Sequence, residues 1–101
     1  MAEIQSRLPE DFCLFQNYPN PFNATTQIRF QLPSFEKVRL KILNVMRREV
    51  RALLNEKRAA GDYQVYWDGK DNQGNEAGMG GYLCVFQMGR YVEGRKVLLL
   101  K

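Results

Sequence analysis

The chain has 101 residues, 15 Lys+Arg against 11 Asp+Glu, no histidine and two cysteines. That length accommodates one domain, and 45% apolar with 26% charged residues suits a folded core rather than a disordered chain. The lack of histidine removes the commonest general base and metal ligand; with serine only at Ser6 and Ser34 and cysteine only at Cys13 and Cys84, the composition points away from an enzyme and calls for neither cofactor nor metal.

The net charge of +4 is even, with 7 basic and 5 acidic residues in 1–50 and 8 and 6 in 51–101, so no basic arm for nucleic acid is expected. No apolar run approaches the roughly 20 residues that span a bilayer, and the polar start at Met1 has no signal-peptide character. Residues 1–9 read as a flexible segment or linker and 10–101 as the domain.

In chain order, the first marked feature is the proline- and asparagine-rich loop Asn17-Tyr18-Pro19-Asn20-Pro21-Phe22-Asn23. Two prolines exclude a helix or central strand, and two aromatics suggest a lid folded over one end of a sandwich with both rings buried. Residues 25–32 alternate, with Thr26, Ile28, Phe30 and Leu32 on one face; Val38, Leu40 and Ile42 repeat the pattern in 37–45. Residues 46–59 are strong helix formers, and Met46, Val50, Leu53 and Leu54 fall on one helical stripe. Residues 62–67 alternate again with Tyr63, Val65 and Trp67 inward and Tyr66 outward, and further β-rich runs cover 82–88 and 95–100. Short strands with turns between them indicate an all-β sandwich or barrel.

Asp68 to Glu76 carries the oxygen ligands of a calcium loop, but Lys70 breaks the EF-hand spacing and a turn is the expected structure. Gly78-Met79-Gly80-Gly81 lacks the Lys-Ser/Thr of a phosphate loop. The cysteines have no zinc spacing, and their thiol state is open.

Gln16 to Asn23, Ile28 to Pro33, Val38 to Ile42, Ala60-Gly61-Asp62-Tyr63, Trp67 to Asp71 and the closing Arg95 to Lys101 together resemble the type A C-terminal sorting domain of the bacterial type IX secretion system. The resemblance implies an all-β immunoglobulin-like antiparallel sandwich of about seven strands, non-catalytic, fused to an N-terminal cargo and recognised by outer-membrane secretion machinery, on a route through the periplasm to the cell surface or medium. A similar sandwich occurs in the flagellar hook-capping protein, the alternative, and a carbohydrate-binding module using Tyr66 or Tyr91 is a third reading. Ending at Lys101 weighs against the flagellar role.

The resemblance makes Val50 to Leu54 a strand despite its helical propensity. Met46-Arg47-Arg48 stands where the family has a glycine turn, which implies a wider turn here. The candidate recognition residues are Asn17, Tyr18, Pro19, Asn20, Pro21, Phe22 and Asn23 in the loop, and Arg95, Lys96 and Lys101 on a last strand whose edge is expected to be open for strand addition. Deleting Arg95 to Lys101 is expected to leave a folded core.

Overall fold

The computed structural model describes residues 13–100. The proposed 1–9 linker and Lys101 lie outside the described residues. Seven strands form two antiparallel sheets: β1 (Cys13–Leu14), β2 (Thr26–Leu32) and β5 (Gly61–Trp67) in one, ordered β1-β2-β5. The second holds β3 (Glu36–Leu43), β4 (Glu49–Arg58), β6 (Gly80–Met88) and β7 (Tyr91–Leu99), ordered β4-β3-β6-β7. The fold is the expected all-β immunoglobulin-like sandwich, and the described residues contain no helix. None therefore offers a helix long and apolar enough to cross a membrane.

The alternating faces meet in the core as the period-two pattern requires. Ile28, Phe30 and Leu32 of β2 oppose Val38, Leu40 and Ile42 of β3, and all are at most 1% exposed. Cys84, Phe86 and Met88 of β6 with Val97 and Leu99 of β7 complete the second sheet's inner face. Phe30 joins the layers, its ring 5.4 Å from Tyr63 and 5.2 Å from Phe86.

β4 is a strand although its residues favour a helix. Pairing with β3 shifts register between Leu40 and Lys41 and again between Ile42 and Leu43. The supernumerary residues at these bulges are Leu53 and Val50, both partly buried against the core. Two bulges three residues apart interrupt the period-two alternation and leave Val50, Leu53 and Leu54 at the spacing of a helical stripe. Met46, the fourth member of that stripe, is 68% exposed in the preceding turn.

That turn is not widened by its missing glycine, contrary to expectation. The Arg47 amide donates to Asn44 O and the Asn44 amide to Arg48 O, both at 2.9 Å. Asn44 Oδ1 accepts from the amides of Met46 and Arg48. The loop thus closes over three residues with Arg47 itself left-handed at φ 66°. A side chain there costs about 1 kcal/mol relative to glycine. Arg47→Gly is therefore expected to raise the unfolding free energy by that amount, moving the urea midpoint up with an unchanged slope; a lowered midpoint would refute the assignment.

Each edge of the four-stranded sheet is covered over part of its length. Beside β4, the Asn72 amide donates to Val50 O (2.9 Å) and Asn72 Oδ1 accepts from the Ala52 amide (2.9 Å). The 68–76 segment supplying Asn72 is a closed turn: Asp71 Oδ1 accepts from the amides of Gln73 and Asn75, and Lys70 bridges Glu76. Asp68 is fixed beneath it, accepting from the Lys70 amide and from Arg51 Nη1 at 2.9 Å. Burial works to raise its pKa, but these two donors outweigh it and hold the carboxyl below its ordinary value. The segment is the expected turn; among the described residues no three or more His, Cys, Asp or Glu side chains are grouped as a metal site would need.

Candidate functional site: the proline loop seated on the last strand

The loop and the last strand, two separate candidates in the sequence, form one structure. Phe22 donates its amide to Leu98 O (2.9 Å) and accepts from the Leu100 amide (2.7 Å). Asn20 Oδ1 accepts from the Leu98 amide at 2.9 Å, and Gln16 Nε2 donates to Lys96 O at 2.7 Å. These bonds occupy the outward-facing backbone of β7 from Lys96 to Leu100. Over this stretch the edge is not open for strand addition, because the chain's own loop already sits on it.

The loop is held from behind as well. Asn17, 4% exposed, donates through Nδ2 to Pro19 O (3.1 Å) and Thr26 Oγ1 (2.8 Å), and the Thr26 hydroxyl donates to Pro19 O (2.8 Å). Buried polar groups need partners, and this triangle, with Gln16 Nε2 donating to Asn17 Oδ1 at 2.6 Å, supplies them. Tyr18 and Gln27 exchange backbone bonds at 3.0 and 2.8 Å. The Tyr18–Pro19 and Asn20–Pro21 peptides are both cis.

The two loop aromatics part company. Phe22 is 2% exposed, its ring centroid 5.4 Å from that of Trp67, whereas Tyr18 is 77% exposed. The expectation that both rings are buried is corrected: the Tyr18–Gln27 bridge leaves the ring pointing to solvent, while the Phe22–Leu98 pairing turns the next aromatic into the core. Gly69 stands opposite; a Cβ there would lie 3.8 Å from the Phe22 ring and 3.6 Å from Leu99, at a φ of +76°.

Among the candidates, Asn17 and Phe22 thus hold the loop from inside. Tyr18, Pro19, Asn20, Pro21, Asn23 and Lys96 are exposed. Lys101 lies outside the described residues. Arg95 is bound up in structure: its Nη2 pairs with Glu93 Oε2 (2.7 Å) and its Nε donates to Leu14 O (3.0 Å). Glu93 Oε1 in turn accepts from the Leu14 amide at 3.0 Å and from the Tyr91 hydroxyl at 2.7 Å. Two side chains of β7 therefore meet both backbone groups of Leu14, clipping β1 of one sheet to the edge of the other. Tyr91 belongs to this clip and packs on Phe86, so it does not face out as a sugar platform would; only Tyr66, 57% exposed, does.

Gln16, Glu93 and Leu98 were not singled out as site residues in the sequence. A Glu and an Arg two apart on one strand face were the available sign for the clip. Nothing local marks Gln16 or Leu98, whose partners lie about 80 residues away. Deleting Arg95 to Lys101 would remove Val97 and Leu99, at 1% and 2% exposure, so the expectation of a surviving core is also corrected.

No curated protein matches the chain. Dimeric latent PorU from Porphyromonas gingivalis is similar in structure, with TM-score 0.66, 22% identity, 83% of this chain covered and 9% of PorU. FlgD from P. aeruginosa is similar with TM-score 0.57 and 20% identity, over 94% of this chain and 76% of FlgD. The chain thus spans a small fraction of PorU's length and about three quarters of FlgD's. Residues 17–87, from the buried Asn17 through most of β6, match the model of the FlgD Ig-like domain. The chain belongs to the FlgD Ig-like domain family.

Proposed function

We propose that this chain is a non-catalytic secretion-sorting module, fused behind a cargo domain, that directs a larger protein through the bacterial outer membrane by way of the periplasm to the cell surface or medium. The observation that carries the reading is the seating of the Asn17 to Asn23 loop on β7, which puts Tyr18, Asn20, Pro21 and Lys96 at one end of the sandwich. Recognition here is a matter of shape. The loop's backbone bonds hold the exposed side chains in place before a partner arrives, which lowers the ordering cost of binding. Unfolding would scatter them, so the surface reports that the module is folded. The likeness of the loop and strand sequences to the type A sorting domain supports the reading. So does a similar sandwich forming 9% of the much longer PorU, the arrangement that a module attached to cargo requires.

Residues 10–101 fused to a periplasmic reporter, in a bacterium with a type IX secretion system, are expected to carry the reporter to the cell surface or medium. A fusion that folds yet stays in the periplasm would overturn the proposal. Because truncating β7 removes core residues, the finer test is Tyr18→Ala with Lys96→Glu: export falls at least about tenfold while thermal stability is unchanged, as expected for two exposed side chains.

The family match favours a second reading, a structural assembly module of the flagellar hook-capping type. On that reading the chain, exchanged for the corresponding domain of FlgD, restores hook assembly and motility, and the export fusion stays in the periplasm.

A further inference from the structure

The outer face of the four-stranded sheet is predominantly cationic, with one carboxylate, Glu49, opposite Leu43 at the end of β4. Lys37, Arg39 and Lys41 project from β3, Lys57 lies opposite Lys37 on β4, and Lys96 lies opposite Leu83 on β7. Among the described residues none of the five forms an ion pair. The outer face of the other sheet is nearly neutral: Gln27, Arg29 and Gln31 on β2 stand beside Tyr66, Gln64 and Asp62 on β5.

At one end of the cationic face lies a groove of about 490 Å³ between the Asn44 to Arg48 turn and β7. Its apolar surface comes from Val45, Leu83 and Leu98, its walls carry Arg47 and Lys96, and Asn20 of the proline loop closes one side. No carboxylate lines it. The volume falls within the roughly 300–1,000 Å³ of binding clefts.

Two glycines shape this groove. Gly81 has an ordinary φ, and a Cβ on it would meet nothing within 4 Å, so neither backbone conformation nor crowding requires glycine there. Its missing side chain leaves the groove open. Gly94 does the opposite: a Cβ there would lie 3.2 Å from Leu83 Cδ1, so the bare backbone of β7 is what lets Leu83 lie flat as part of the floor.

We propose that this groove docks an extended segment of a partner protein carrying an apolar side chain between carboxylates. The apolar side chain lies on Leu83, Val45 and Leu98, and the flanking carboxylates reach Arg47 on one wall and Lys96 on the other. An apolar centre with a charged rim is the anatomy of a protein contact. An anionic sugar or nucleic-acid chain is served less well, since the groove offers two cations and its one lining aromatic, Tyr82, is packed against Trp67 in the core rather than presented as a stacking platform. The inference does not depend on the export reading, since it concerns binding in solution.

The test is titration of the isotope-labelled full chain with a synthetic nonapeptide, one central leucine flanked by glutamates, followed by backbone amide NMR. Saturable shifts are expected at Val45, Arg47, Gly81, Leu83, Lys96 and Leu98, weakening as salt is raised. The same peptide with lysines for glutamates, or serine for leucine, is expected to bind at least about tenfold more weakly. Gly81→Val fills the groove with a strand-favouring residue, so it is expected to fold at least as stably and to lose at least about tenfold in affinity. Arg47→Glu with Lys96→Glu is expected to lose as much, and Arg29→Glu on the opposite sheet nothing. Shifts falling elsewhere, equal binding of the lysine peptide, undiminished binding by folded Gly81→Val, or saturation of these residues by a sulfated oligosaccharide and not by the peptide would each overturn the proposal.

Discussion

Phe22→Ala is expected to destabilise the domain by about 3–5 kcal/mol, the range for emptying a fully buried aromatic site. For a domain of this size that lowers the melting temperature by more than about 12 °C. The ring is 2% exposed against Trp67, and the same residue's backbone pairs with both Leu98 and Leu100. Losing the ring therefore removes the anchor that keeps the loop on β7. Hydrogen exchange is expected to show this directly: the Leu98 and Leu100 amides, bonded to Asn20 Oδ1 and Phe22 O, lose protection beyond the global loss seen in β2 and β5. Tyr18→Ala, in the same loop but 77% exposed, is expected to be close to neutral in stability. A cost below about 1 kcal/mol for Phe22→Ala would mean that the loop is held by its hydrogen bonds alone.

Stability is expected to fall steeply above about pH 9, through Cys84. Its thiol is buried in the core, and burial pushes its pKa from 9.0 up to about 12. Below the lower value both folded and unfolded chains keep the proton, and stability does not depend on this group. Between the two values the unfolded chain releases the proton while the folded chain retains it, so the unfolded state gains and stability declines as pH rises. The full effect approaches about 4 kcal/mol at pH 12. Tyr91 acts in the same direction at higher pH. Its hydroxyl bond to Glu93, then partial burial, then the carboxylate's charge raise its pKa from 10.0 to about 12. Urea unfolding followed from about pH 8 to 11 separates the two. Cys84→Ala is expected to cost about 1 kcal/mol at neutral pH and to flatten the decline between about pH 9 and 10, where the tyrosine still contributes little. An unaltered slope in that variant would refute the role given to the thiol. The same burial makes Cys84 inert toward oxidation at neutral pH, in keeping with both cysteines being free.

Much of the sandwich was legible in the residues. Thr26 to Leu32, Val38 to Ile42 and Tyr63 to Trp67 carry the alternation of half-buried strands, and their inward residues line the core as the pattern requires. Alternation reads well because it is local: each residue's face follows from its neighbour's. β4 defeats that reading because its two bulges arise from pairing with β3, and the displaced Val50 and Leu53 then imitate a helix. Likeness to a known family, not local propensity, identified it as a strand. The proline loop was legible as a loop, but not which of its aromatics would be buried, since that depends on Leu98, more than 70 positions on.

The amino-acid order alone was enough for the all-β class, the inward faces of β2, β3 and β5, and the candidate role of the proline loop and basic last strand. It could not show that these two elements are one, that part of each edge of the larger sheet is covered, or that Arg47 takes the left-handed place of a glycine. Nor could it bring Asn20, Arg47 and Lys96 to the walls of one groove. Each of those outcomes depends on which backbone donors and acceptors remain unpaired once the sheets have formed. That inventory exists only after distant strands have found their register, so no window of sequence contains it.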